Sequence, residues 1–244
     1  MTSSESYIFL AVVAGLALVA LIYLLSPMSL LEDITTRGDQ IRARLQALLY
    51  RHEYSADNKT AMLIGYVDIA LEHHKAIWLL TDAQLNGSAF ALVRLVYDAL
   101  LRALWINKVA TEEQVEQATR DELKFPPMRA LRDDIKKAYF GDAQPEEAGT
   151  GDKFLQMLKE IWRASSSYTH SGALQIGRRF TGDKVKPNYS EGDIIQALSL
   201  ATVAVLLLLH MFFVTMGHYE EVEEIQTLLR QHHTDFGPRL RSGH

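Results

Sequence analysis

Residues 161–172 (IWRASSSYTHSG) bring together side chains that suit phosphate chemistry. Arg163 carries a permanent positive charge on a planar fork of hydrogen-bond donors, and His170 is of a type that titrates near neutral pH. A histidine can take the proton of an RNA 2′-hydroxyl, while an arginine stabilises the charge that develops on the phosphate. A pair of this kind can cleave RNA without a metal, which makes Arg163 and His170 the candidate catalytic residues.

Further residues are placed to bind the phosphate or its backbone. The hydroxyl groups between Arg163 and His170 can orient phosphate oxygens, and the basic loop downstream can hold an RNA strand. Earlier in the chain, charged residues recur every fourth position from Arg94 to Arg102, which places them along one helix face. The predicted substrate-binding residues are Arg94, Asp98, Ser167, Tyr168, Arg178 and Arg179.

The same residues also have a purely structural interpretation. Arg163 can cap a helix, His170 can hydrogen-bond within the packing, and the series from Arg94 can pair internally inside a bundle. His73 and His74 are adjacent and so point to different faces, whereas a metal pair on a helix needs positions i and i+4. Solvated or capping roles are expected for both. The chain has no cysteine, which excludes thiolate metal sites, and we predict neither a metal nor a cofactor.

The hydrophobic periodicity of the chain predicts an all-α fold. The helix that carries Arg94 is almost wholly apolar apart from its charged stripe, so it is expected at the centre of a bundle. Residues 141–152 are acidic and rich in glycine, which favours a surface loop. Ser190 and Asp193 are both possible caps of the last helix. The predicted helices cover residues 29–54, 57–80, 89–109, 128–140, 153–167 and 194–232, with another beginning at Thr111.

Residues 7–25 (YIFLAVVAGLALVALIYLL) form an uncharged run that can cross the roughly 30 Å apolar core of a bilayer. The run lacks the polar stripe that a buried core helix would show. It also lacks the basic N-terminal region and the cleavage site of a signal peptide. Residues 1–6 contain no lysine or arginine, whereas arginines follow the run from Arg37 onward. The positive-inside rule then predicts a single-pass protein of the inner (plasma) membrane, with its N-terminus outside and its bulk in the cytoplasm.

Residues 194–216 are a second, mostly apolar run with two open interpretations. Gln196, Ser199 and His210 fall near one face, and a lipid-facing histidine is costly, which favours a core helix. The charges that flank the run also suit a second membrane span.

These patterns divide the chain into four parts. They are an anchor at 1–27, a juxtamembrane helix at 28–56, a helical bundle at 57–233 and a polar tail at 234–244. The net charge of −5 gives no overall attraction to nucleic acid, so an RNA site requires a local basic patch.

The spacing of Arg163 and His170 resembles the R-x4–6-H signature of the HEPN superfamily, the higher eukaryote and prokaryote nucleotide-binding domains. The similarity covers roughly residues 57–209, and its most specific part is the Tyr-Thr-His-Ser-Gly stretch at 168–172. The helix with Arg94 and Asp98 also resembles one that faces the site in such proteins.

This resemblance implies a helical bundle that forms a homodimer or higher homo-oligomer, so that two Arg/His pairs meet in one cleft. It implies a metal-independent endoribonuclease that acts as a toxin or antiphage-defence effector, with a possible partner protein encoded nearby. In this chain Ala164 follows the arginine, where many active members have a polar residue.

Two alternatives to a nuclease remain. One is a non-catalytic helical membrane module that oligomerises, senses a partner or perturbs the membrane, with residues 194–216 as a true span. The other is a site that binds a nucleotide or phosphate ligand without cleaving it.

Overall fold

The computed structural model describes residues 31–55, 57–141 and 145–236, and this part of the chain is all-α, as predicted. The predicted anchor at 1–27 and most of the polar tail lie outside the described residues. The helices are α1 (Leu31–Leu49), α2 (Asn58–Asp82), α3 (Asn86–Lys108), α4 (Glu112–Thr119), α5 (Met128–Phe140), α6 (Pro145–Thr169), α7 (Ala173–Gly177), α8 (Glu191–Met216) and α9 (Tyr219–Phe236). A short antiparallel hairpin, β1 (Phe180–Thr181) and β2 (Lys184–Val185), joins α7 to α8.

Helices α3 and α8 form the centre of the bundle. Helix α3 packs against α2, α5, α6 and α8, while α8 also contacts α1, α2 and α9. Every residue from Ala201 to Phe213 is buried. Helix α1, predicted as a separate juxtamembrane helix, contributes Leu45, Leu48 and Leu49 to the same core. The core therefore extends across residues that precede the predicted bundle.

Among the described residues, α8 is the helix that is long and apolar enough to cross a membrane, and 89% of its most apolar window is buried inside the bundle. His210 lies fully buried at mid-helix, with its Nε2 3.4 Å from the Gln226 side chain on α9. This packing is that of a core helix, the interpretation that the polar face of residues 194–216 favours.

The prediction of one continuous helix over 194–232 is wrong, because Gly217 ends α8. Its φ of +75° lies in the left-handed region, which costs glycine less than any other residue. The N–H groups of Gly217 and His218 donate to carbonyls of the last helical turn. The apolar periodicity continues across this point, so it conceals the break.

The predicted surface loop over 141–152 is also wrong in its second half, where α6 begins at Pro145. Proline suits the first position of a helix, and the acidic residues that follow it in the sequence suit the positive end of the helix dipole. Gly151 is buried against Phe140, whose ring atoms would lie 2.7 Å from a Cβ at that position. Close packing, rather than a turn, therefore accounts for this glycine.

His74 is buried rather than solvated or capping, which corrects the prediction for this residue. The Trp78 indole N–H donates to His74 Nε2 over 3.2 Å, and the Thr202 hydroxyl lies 2.9 Å from the same nitrogen. Burial, reinforced by the nearby Arg42 and His232, lowers the pKa of His74 to about 3. The imidazole is therefore a neutral part of the core between α2 and α8.

The predicted helix starts at Thr111 and near Ser190 are confirmed. Thr111 and Gln114 form a reciprocal capping box, and Ser190 forms another with Asp193. Both candidate caps of α8 thus act together. The hairpin before α8 was not predicted, because strands of two residues are too short to show a period of two.

Candidate functional site

The site lies where the N-terminal half of α3 faces the C-terminal end of α6. Trp162, Ser166 and His170 follow one another at intervals of four residues, so they share one face of α6 and its continuation. Arg94 and Asp98 are also four residues apart on α3. Because α3 packs directly on α6, these two stripes meet.

Arg94 and His170 are in direct contact. Arg94 Nη1 lies 2.8 Å from His170 Nε2 and donates to Ser166 Oγ over 2.9 Å. A guanidinium has donors and no acceptor, so this contact requires a lone pair on Nε2 and places the ring proton on Nδ1. His170 itself lies at an exposed position.

Two further side chains fix the Arg94 guanidinium in place. Its central carbon lies 4.3 Å from the centroid of the Trp162 ring, a cation–π contact. Asp98 accepts from Arg94 Nε over 3.4 Å with one oxygen and from the Trp162 indole N–H over 2.8 Å with the other. The resulting cluster is closed: each of the three side chains contacts the other two. Trp162 is absent from the predicted site, although its spacing from Ser166 and His170 places it on the same stripe.

Arg163 lies away from this cluster. Its Nη2 pairs with Glu160 over 3.2 Å, and 77% of its side chain is exposed. Six residues lie between it and His170, and the seven-position step corresponds to roughly 10 Å along the helix axis. Among the described residues, the guanidinium that contacts His170 is that of Arg94. The structure thus brings together Arg94, Asp98 and His170 and leaves Arg163 apart from them.

Residues 67–238 match a family of unknown function, DUF6988. The match covers more than half of the 244 residues, including both helices of the site. The chain belongs to the DUF6988 family. No curated protein and no solved structure matches it.

Ser167 and Tyr168 of the DUF6988 segment shape the turn after α6. Ser167 Oγ accepts the Leu174 N–H over 3.0 Å, and its carbonyl accepts the Gly172 N–H over 2.6 Å. A Cβ on Gly172 would lie 2.5 Å from Ser167 Oγ, so the close approach requires glycine. The Tyr168 ring packs edge-on against Phe90 with centroids 5.1 Å apart. Ser167 therefore holds the start of α7 beside the site, and Tyr168 packs the end of α6 against α3.

Arg178 and Arg179 differ in their surroundings within the DUF6988 segment. Arg178 Nη2 donates to Asp193 over 2.7 Å, and its Nη1 donates to the Asn188 carbonyl over 3.1 Å. These bonds tie the α7–hairpin segment to the start of α8. Arg179 is exposed and extends over Gly87 at the start of α3. Arg179 is the more accessible of the two for a polyanion.

Among the described residues of this DUF6988 protein, one group has metal-ligating atoms close together. His52, His218 and Glu221 place theirs within 4.8 Å of one another, near the C-terminal end of α8. The His52 and His218 rings are stacked with centroids 4.0 Å apart, and Arg51 Nη1 lies 3.4 Å from the Glu221 carboxylate. His52 Nε2 lies 2.7 Å from the same carboxylate, so a hydrogen bond and the Arg51 ion pair account for how close these residues lie.

Proposed function

We propose that this protein is a membrane-anchored, metal-independent endoribonuclease of the HEPN-like type. The observation that carries the proposal is the contact between the exposed His170 imidazole and the braced guanidinium of Arg94, 2.8 Å apart. A neutral imidazole is the form that accepts a proton, and a fixed guanidinium is the group that stabilises a phosphate. The two groups lie close enough to act on one phosphodiester.

In the proposed reaction the RNA 2′-hydroxyl gives its proton to His170 Nε2, and the 2′-oxygen attacks the adjacent phosphorus. The bond from phosphorus to the 5′-oxygen breaks, and that oxygen takes a proton from water or from the His170 imidazolium of a second copy. The products are a 2′,3′-cyclic phosphate and a 5′-hydroxyl, with no change in oxidation state. Arg94, displaced from Nε2 by the substrate, donates to the phosphate oxygens, while Asp98 and Trp162 keep it in place.

Arg163 retains a role in this proposal as a second phosphate contact. Its exposed side chain is held by Glu160 through a surface ion pair, which is a weak interaction that a phosphate can replace. In a homodimer of the kind that the HEPN resemblance implies, an exposed guanidinium beside α6 is available to RNA bound at either copy. We therefore assign the primary phosphate contact to Arg94 and a supporting one to Arg163.

The proposal places the bundle in the cytoplasm, tethered to the inner membrane by residues 7–25, with the N-terminus outside. The uncharged run and the arginines that follow it support this topology. A tethered ribonuclease suits a toxin or antiphage effector whose activity is released by a partner protein.

Expression in bacterial cells tests the proposal. The wild type is expected to arrest growth and degrade cellular RNA under activating conditions, whereas His170→Gln should do neither. Glutamine can still accept the Arg94 hydrogen bond, so this variant removes the proton acceptor while keeping the contact. Arg129→Gln, an exposed change on α5, serves as a control that should behave like the wild type.

The outcomes separate the alternatives. Equal growth and equally intact RNA with the wild type and His170→Gln would remove the nuclease proposal. If the wild type crosslinks to RNA but leaves it intact, the site binds a phosphate ligand without cleaving it.

A further inference from the structure

Exposed apolar side chains are concentrated at one end of the bundle. Among the described residues, nine large apolar side chains are exposed, and six of them lie at the end that carries the hairpin. Val185 in β2 is 82% exposed, the highest value of the nine. We call this group the hairpin surface; it consists of Leu79, Leu85, Leu174, Ile176, Phe180 and Val185.

Contacts between three segments bring these residues to the same end. Leu85 lies in the turn between α2 and α3, and Arg179 reaches this turn by lying against Gly87. Lys186 and Pro187, just after β2, line one hollow together with Thr81 at the end of α2. The α2–α3 turn, the end of α7 and the hairpin therefore lie at the same end of the bundle.

Exposed cations accompany the apolar residues. Arg179, Lys184 and Lys186 are all exposed, and the exposed acids beside them are Asp183 in the hairpin turn and Asp82, which lines the hollow with Lys186. A bare RNA strand would use the cations but not aliphatic side chains, whereas an anionic lipid surface uses both. Apolar side chains enter the boundary between headgroups and acyl chains, and lysines and arginines pair with the headgroups.

Helix α1 begins at this same end of the bundle. Its Arg42 lies over the Trp78 ring at 5.0 Å, near the C-terminal end of α2. Tyr54, just beyond the other end of α1, packs on Phe212 near the C-terminal end of α8. The apolar run ends at Leu25, so its distance from Leu31 is at most about 20 Å of extended chain.

We infer that the hairpin surface is a second membrane-contact site, which rests on the anionic cytoplasmic leaflet beside the N-terminal anchor. This inference rests on the anchor in the proposed function, because the anchor fixes which end of the bundle meets the lipid. It also places the Arg94–His170 site next to the membrane, since α7 follows His170 directly. The cation pattern selects anionic lipid over zwitterionic lipid.

The absence of cysteine makes a site-specific probe straightforward. Val185→Cys is labelled with an environment-sensitive fluorophore in the whole chain, which is then reconstituted into vesicles of phosphatidylglycerol and phosphatidylethanolamine. The matched control is Glu112→Cys at the start of α4. This position follows the C-terminal end of α3, whose length of roughly 35 Å separates it from the hairpin end of the bundle. The inference predicts blue-shifted emission and quenching by spin-labelled lipid at position 185, but not at position 112.

Charge dependence completes the test. Lys184→Glu with Lys186→Glu, or vesicles of phosphatidylcholine alone, should return the 185 probe to the emission seen in water. If the chain floats with the vesicles but the 185 probe stays in water, the surface inference fails while the anchor stands. If the chain does not float at all, the anchor itself fails. A probe that responds to added RNA, or is shielded in detergent without lipid, would assign the surface to RNA or to a second copy and overturn the inference.

Discussion

The Arg94 side chain contacts four other residues of the candidate site. One of its nitrogens faces Ser166 and His170, another faces Asp98, and its plane lies on Trp162. A lysine at this position would keep the charge but lose the planar fork that makes these contacts together. The arginine therefore matters for its geometry as much as for its charge.

Arg94→Lys is expected to lower RNA cleavage by roughly 10²–10³-fold, because it removes a pre-positioned donor to the transition-state phosphate. Steady-state kinetics on a labelled RNA measure this change. Arg102→Lys is the matched control, since Arg102 lies on the same helix but packs over Phe125, 4.7 Å from the ring centroid. Equal losses in the two variants would show that Arg94 acts only through the fold.

Sequence spacing could predict some residues of this cluster but not their pairing. Arg94, Asp98 and His170 are all predicted site residues, and Asp98 does contact Arg94. The partner of His170 is 76 residues away in the chain, so a motif within one helix cannot reveal it. The motif instead pairs His170 with Arg163, which is near in sequence but separated from it by two turns of helix.

At the scale of elements, apolar periodicity predicted most of the helices, because each buries one face. It failed where a single residue changes the backbone or its packing. Gly217 ends α8 inside an unbroken apolar pattern, and Gly151 continues α6 through a stretch whose composition is typical of loops. A left-handed backbone decides the outcome at Gly217, and close packing against Phe140 decides it at Gly151.

The two glycines at 149 and 151 should respond to alanine in opposite ways. A Cβ at Gly151 would meet the Phe140 ring at 2.7 Å, whereas nothing lies within 4 Å of one at Gly149. Gly151→Ala should lower the free energy of unfolding by roughly 1–3 kcal/mol through overpacking. Gly149→Ala should raise it by roughly 0.5–1 kcal/mol, since alanine favours a helix interior. Denaturant titration measures both, and equal effects would contradict the packing described for α6.

The stability of the α2–α8 contact is expected to depend on pH through His74. Its pKa is lowered from 6.5 to about 3 by burial, so the unfolded chain binds this proton first as the pH falls. The contribution of the neutral His74 side chain to the free energy of unfolding is fully present above pH 6.5. It declines between pH 6.5 and about 3. At pH 5 the loss attributable to His74 is about 2 kcal/mol. Thermal unfolding of the wild type and His74→Gln between pH 8 and 5 measures it, and identical slopes would contradict this assignment.

At the scale of the whole molecule, the packing of α8 bears on the proposed topology, because its apolar length is enclosed by α2, α3 and α9. The proposed single-pass protein has the anchor at 7–25 as its span and its C-terminus in the cytoplasm. A module with α8 as a second span would instead place the C-terminus outside. The composition of residues 194–216 allows both interpretations, and their packing favours the first.

Protease accessibility distinguishes these topologies. A C-terminal epitope should resist protease added to intact spheroplasts and be lost once the inner membrane is opened. An N-terminal epitope should show the opposite behaviour and provides the internal control. Digestion of the C-terminal epitope in intact spheroplasts would assign α8 to the bilayer.

Cleavage by the purified chain tests the central claim most directly. The whole chain in lipid nanodiscs is incubated with a labelled single-stranded RNA in excess EDTA, and the ends of the products are analysed. We expect fragments with 2′,3′-cyclic phosphate and 5′-hydroxyl ends from the wild type, and intact RNA from His170→Gln. Intact RNA with both proteins, or equal fragments from both, would contradict a catalytic role for the Arg94–His170 pair.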